Sequence, residues 1–166
     1  MSAAIRHLIV LRHAKSDWSQ PGQSDFERGL KPRGERAAKR LGRFLRESGQ
    51  QPDQILSSAA VRARETLRLA ARAGDWGAVP RHLDALYETS AKEVLELVRT
   101  EASECRRLLV VGHEPTSSSL ISLLTGEHPP HFPTAAMACI AFVGEWAQLR
   151  PKMGELAWLI TPKDLR

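Results

Sequence analysis

The sequence predicts an α/β domain, a three-layer sandwich in which a mostly parallel central sheet carries helices on both faces. Three observations lead there. Short apolar runs alternate with longer amphipathic stretches, the pattern of βαβ units. The clearest runs, Leu8-Ile9-Val10-Leu11 and Leu108-Leu109-Val110-Val111, are unbroken, as strands buried on both faces require. Finally, 166 residues with 42% apolar and 26% charged side chains suit one domain spanning 1–166, and they exclude collagen, coiled coil and long disorder.

Leu8 to Leu11 forms the first strand, and a loop rich in Ser, Asp, Pro and Gly follows from 15 to 29. A helix is expected over 32–48, stopped by Gly49. Its core stripe is Ala37, Leu41, Phe44 and Leu45. Arg33, Arg36, Lys39, Arg40, Arg43 and Arg46 recur every three or four positions on the other face. A second strand over 53–57 leads to a helix over 59–73, with Val61, Leu67, Leu69 and Ala70 inward and Gly74 and Gly77 closing it. A third helix spans 91–102 through Val94, Leu95, Leu97 and Val98. The strand 108–112 comes next, then a helix with Pro115 in its first turn that runs through Leu124 to Gly126. Beyond a proline-bearing loop over 127–133, residues 137–143 and 156–160 read as two strands that pair with each other.

The chain carries 24 Lys and Arg against 19 Asp and Glu, a net charge of +5, and 18 of the 24 cations are Arg, the side chain that forks onto carboxylates and phosphates. A solvated helix face accounts for much of that excess, so neither nucleic acid nor a membrane is the expected partner. No apolar run reaches the roughly 18–20 residues of a membrane helix. No cleavage site follows the short apolar run after Arg6, and Cys105 and Cys139 lack metal-ligand spacing. The expected location is therefore the cytoplasm, with both thiols reduced.

In an open α/β sheet the ligand crevice lies beyond the carboxyl ends of the strands, where residues remote in sequence converge. Those positions read Arg12-His13-Ala14-Lys15, then Ser57-Ser58 with Arg62 and Arg64 one turn into the next helix, then His113-Glu114-Pro115. Two imidazoles and at least two guanidiniums without a matching set of carboxylates favour a dianion such as a phosphoryl group. Neither a Walker sequence nor a G-x-G-x-x-G loop is present. A neutral imidazole whose far nitrogen is held by an acceptor is a competent nucleophile towards phosphorus, which suits His13. Arg12 and Arg62 suit the equatorial oxygens, and His113 completes the cage.

The segment Leu11 to Trp18 (LRHAKSDW) resembles the signature of the histidine phosphatase superfamily, the phosphoglycerate mutase-like fold, in its small SixA-type phosphohistidine phosphatase branch. DFERGLKPRG from Asp25, ILSSAAVRARET from Ile55, Leu86-Tyr87-Glu88, VGHEP from Val111 and Phe132-Pro133-Thr134 agree in order, so the likeness spans nearly the whole chain. It implies a covalent phosphohistidine mechanism with His13 as nucleophile, Arg12 and Arg62 on the phosphoryl group, His113 as the second cage histidine, and no metal or organic cofactor. Ala14 stands where the broader superfamily has Gly, as is usual in the SixA-like branch.

Departure of an alkoxide needs a proton donor, and larger relatives place an acid before the third helix. Glu88 is the candidate here, although a surface or capping role suits it equally. Lys15 either approaches the phosphate or points at water. The segments 86–109 and 125–134 are too short for a large lid, so an open site that admits a phosphorylated protein side chain is expected. A broad-specificity phosphomonoesterase and a non-catalytic phosphate- or polyanion-binding module are the alternatives. A metal held by His13 and His113 lacks a supporting carboxylate motif.

Overall fold

The computed structural model describes residues 4–165. Its elements alternate as expected: β1 (Ile5–Arg12), α1 (Pro32–Glu47), β2 (Gln54–Ser58), α2 (Val61–Gly74), β3 (Pro80–Leu83), α3 (Ala91–Glu101), β4 (Arg107–Gly112), α4 (Thr116–Thr125), β5 (Met137–Val143) and β6 (Glu155–Ile160). They build one sheet in the order β3-β2-β4-β1-β5-β6. The four strands from β3 to β1 are parallel, and β5 and β6 are added antiparallel.

Alternation along each strand sends side chains to two separate cores. Leu8, Val10, Leu56, Leu108 and Val110 pack with Val94, Val98, Leu120 and Ile121 from α3 and α4. Ile9, Leu11, Ile55, Leu109 and Val111 pack on the other face with Leu41 and Leu45 of α1 and Leu67 of α2. Two helices on each face of one sheet make the three-layer sandwich. The basic face of α1 lies outward, with Arg33, Arg36, Lys39, Arg40, Arg43 and Arg46 exposed.

Periodicity did not reveal β3. It is a four-residue edge strand that begins at Pro80, a position where a missing N–H costs nothing, and its half-exposed residues leave no apolar run to read. The tryptophans divide. Trp146 is buried and donates to the Cys105 carbonyl at 2.7 Å, Trp158 meets Phe44 edge to face, and Trp18 is exposed.

Register sets the level of the strand ends. Arg12 pairs with Gly112 and Ser57 with Val111, so His13, Ser58 and His113 emerge side by side. The second constraint is the crossing of α1 and α2. A methyl group at Gly42 would stand 2.0 Å from the Ala70 carbonyl oxygen, and one at Gly74 would stand 2.2 Å from that of Gly42. Only bare backbone lets the helices approach this closely. Gly42→Ala should therefore destabilise by about 1–3 kcal/mol through overpacking, while Gly77→Ala, which meets nothing within 4 Å, should stay near wild type. Denaturant midpoints check this, and equal effects at the two positions would contradict the tight crossing.

Candidate active site

His13 leaves the end of β1 buried, and its ring is fixed at both nitrogens. Nδ1 lies 2.8 Å from the Ala14 carbonyl, which only accepts, so Nδ1 carries the hydrogen. Nε2 receives the Nε–H of Arg62 at 3.3 Å, and a guanidinium only donates, so the lone pair sits on Nε2. Burial above all, with the charges of His113, Arg62 and Arg12 adding to it against the Ala14 hydrogen bond, brings His13 down to about 3. The ring is neutral at physiological pH. Next to it the Ala14 amide donates to Thr66 Oγ1 at 2.9 Å, and that hydroxyl donates to the Arg62 carbonyl at 2.6 Å, tying the end of β1 to the first turns of α2.

His113 stands across from His13 with ring centroids 5.2 Å apart. Its Nε2 shares a hydrogen with Ser58 Oγ at 2.8 Å, whereas its buried Nδ1 has no partner among the described residues. Burial, then the Arg62 charge, pulls this ring down to about 4, with Asp25 opposing. Arg12 is held by one hydrogen bond, Nη1 to the Phe132 carbonyl at 3.1 Å, and its buried Nε is likewise without a partner among the described residues. Burial lowers its guanidinium below the usual range, Glu114 opposing and Arg62 adding to the effect.

Arg62 is anchored by a residue to which sequence reasoning gave no role. Asp25, in the loop after β1, accepts from Arg62 Nη2 at 3.0 Å through its carboxylate and from Nη1 at 2.7 Å through its carbonyl. The other carboxylate oxygen accepts from Arg28 Nη2 at 2.6 Å and Nε at 3.2 Å. Tyr87 donates its hydroxyl to Asp25 at 2.5 Å, and that bond, before the two guanidiniums, holds the Asp25 carboxyl far below the carboxylate range. Arg28 in turn donates to Ser16 at 2.7 Å and lies 3.2 Å from the centre of the Trp18 ring. Asp25 sits in a stretch that reads as a turn, and its only local signal is an arginine three residues on.

Arg12, His13, Arg62 and His113 are thus brought together from β1, α2 and the end of β4. Arg64 is exposed. Lys15 is half-buried and lines a separate cavity under α1. Glu88 is exposed and makes no hydrogen bond to any of the four among the described residues, although its charge reaches the neighbouring Tyr87. Ser58, Thr66 and Tyr87 join the site as supports.

Residues 8–104 match the family described as histidine phosphatase superfamily (branch 1). A protein of Mycobacterium tuberculosis is 34% identical over 163 residues, covering 92% of this chain and all of that one. The chain belongs to the histidine phosphatase superfamily. Within it, a solved structure from Agrobacterium tumefaciens, assigned as a SixA phosphohistidine phosphatase, superposes with a TM-score of 0.82 at 29% identity, covering 95% of this chain and 98% of the other. A phosphoglycerate mutase of Bacillus anthracis shares the fold, with a TM-score of 0.65 at 17% identity over 86% of this chain and 90% of its own. The enzyme is a histidine phosphatase of the SixA-type branch, built on the phosphoglycerate mutase-like fold.

Both imidazoles of this histidine phosphatase titrate below the unfolded value of 6.5, so between pH 6.5 and their folded values the unfolded chain binds protons that the native chain does not. Their contribution to stability is complete above pH 6.5 and is lost as pH falls towards 4 and 3. Ring nitrogen NMR should show His13 protonated on Nδ1 alone at pH 6, with both rings titrating below pH 5. A midpoint near 6.5 for either ring would contradict the burial that sets these values.

Proposed function

We propose that the enzyme transfers a phosphoryl group onto Nε2 of His13 and then to water, and that its substrate is phosphohistidine on another protein. The observation that carries this is the neutral His13 ring, whose Nε2 lone pair is turned to Arg62 inside a cage of cationic and N–H donors. In the first step Arg62 turns its Nε–H from Nε2 to a phosphoryl oxygen, the Nε2–P bond forms as the bond from phosphorus to the substrate imidazole breaks, and the departing nitrogen takes a proton from solvent. In the second, water attacks phosphorus and gives up a proton to solvent, the Nε2–P bond breaks, inorganic phosphate leaves, and the His13 lone pair is restored.

Arg12 and Arg62 are assigned to the equatorial oxygens, where charge accumulates in the transition state. His113 donates to the same group. The unpartnered Arg12 Nε supports its assignment, because a buried donor without a partner is costly and an oxyanion would satisfy it, and His113 Nδ1 is such a donor in the tautomer in which Ser58 Oγ donates to Nε2. Imidazole is a better leaving group than an alkoxide, so Glu88, exposed beside Tyr87, matters less for phosphohistidine than for an ester. Lys15, in the separate cavity under α1, takes no part in the reaction, and no step uses a metal or an organic cofactor.

Access also favours a protein substrate. Most of the segment between β3 and β4 is spent on α3, which packs into the core through Val94, Leu95 and Val98, so what it leaves at the strand ends is the short stretch that carries Tyr87. Two free thiols, Cys105 and the buried Cys139, agree with a cytoplasmic location. Small phosphomonoesters are the second reading, in which the Glu88 carboxyl, in its protonated form, is the donor to the departing alkoxide.

A substrate panel tests the assignment: phosphohistidine proteins, sugar phosphates, nucleotides and an aryl phosphate. Phosphohistidine protein should give the highest kcat/KM, and a higher value for any ester would overturn the substrate choice. His13→Ala should lower kcat/KM on every substrate by at least about 10³-fold, where a phosphate-binding module would keep its affinity and show no turnover to lose. Arg62→Lys should cost roughly 10²–10³ in kcat. Glu88→Gln should slow alkyl phosphates at least tenfold more than phosphohistidine, and an equal loss on both would remove the distinction between leaving groups.

A further inference from the structure

On the α1 side of the same sheet end lies a cavity of about 380 Å³ that the reaction does not use. Topology puts it there. Leu11 pairs with Met137 and Met137 with Ile160, so β5 begins and β6 ends where β1 ends. The loop before β5, the turn after β6 and the first turns of α1 therefore meet beside the nucleophile strand. Ala135, in the cavity wall, donates its amide to the carbonyls of Arg12 and His13 at 3.1 and 3.0 Å.

Lys15, Arg33, Arg40, Lys163 and His131 line this cavity, and no carboxylate among the described residues does. None of these side chains forms an ion pair among the described residues, whereas Arg46, Arg81 and Arg99 elsewhere on the surface are paired with Asp75, Glu101 and Glu96. The acidic residue next to Lys163, Asp164, lies outside the lining but is bonded to Thr161 in the cavity wall, accepting from its amide at 2.8 Å and its hydroxyl at 3.2 Å, so five basic side chains face one neighbouring carboxylate. Like charges around one concavity repel each other and focus a field that attracts anions. Their spread decides the kind of anion. Arg33 and Arg40 are seven residues apart on one helix, about 10 Å along its axis, and Lys163 comes from beyond β6, so the cations line a length rather than meet at a point.

We propose that this cavity holds the carboxylates of an acidic segment of the phosphorylated protein while its phosphohistidine sits at His13. This rests on the phosphoprotein reading above and adds the chemistry that selects among such proteins. Bivalent contact of this kind lowers KM without entering the chemical step.

The test combines Arg33→Gln, Arg40→Gln and Lys163→Gln, three exposed positions, with a thermal melt to confirm the fold. At low salt a hexaglutamate peptide should shift the amide resonances of Gly34, Ala37, Thr134 and Ala135, and the triple variant should bind it at least tenfold more weakly. For a phosphohistidine protein with acidic residues beside the site, the variant should raise KM roughly tenfold at unchanged kcat, with aryl phosphate kinetics unaltered. The proposal is overturned if hexaglutamate shifts no cavity amide, if the variant binds it equally well, or if inorganic phosphate fills the cavity as tightly as the peptide. Hexaglutamate bound in the cavity without turnover of any phosphohistidine protein would instead overturn the substrate reading and leave the acidic-segment site supported.

Discussion

Arg62 carries a permanent charge into a position where only 7% of its surface meets water, and the rest of the site is arranged around that fact. A buried guanidinium needs acceptors fixed in its plane. Asp25 supplies two of them and His13 Nε2 a third, so the contact that satisfies Arg62 also aims the lone pair of the imidazole. Asp25 is held in turn by Tyr87 and by Arg28, which leans on Ser16 and the face of Trp18. The loop after β1, otherwise without helix or strand, is ordered by this chain of charge-assisted bonds.

The electrostatic balance follows. Asp25 faces the guanidiniums of Arg62 and Arg28, and Arg12, which bonds to a carbonyl, feels the charge of Glu114, so three guanidiniums answer two carboxylates beside two imidazoles that burial keeps neutral. Neutral rings supply a lone pair or a hydrogen bond without adding to the repulsion. That combination lets His13, the proposed nucleophile, meet an incoming dianion at neutral pH without first losing a proton.

Much of this was legible in the amino-acid order. Unbroken apolar runs gave the buried strands, and the rule that ligands gather beyond carboxyl ends selected Arg12, His13, Arg62 and His113, which the register of β1 with β4 sets side by side. What escaped reading was of two kinds. The edge strand β3 is short, proline-led and half-exposed, so no hydrophobic pattern marks it. Asp25 and Tyr87 support the site through contacts 37 and 62 residues away along the chain, and Ser58, legible as a strand-end residue, finds its partner His113 55 residues on; no local spacing encodes those pairings. The exposed position of Glu88 belongs to the same class, being decided by how the turn before α3 is laid down.

The account stands on His13 Nε2 being the atom that receives phosphorus. The most direct measurement is to quench the enzyme in alkali during turnover, digest it, and locate the trapped phosphoryl group by mass spectrometry and phosphorus NMR. A base-stable, acid-labile phosphoryl group on Nε2 of His13, formed fast enough to account for kcat, is the expected result. A label on Nδ1, on another residue, or none at all while phosphate is still being released would contradict it.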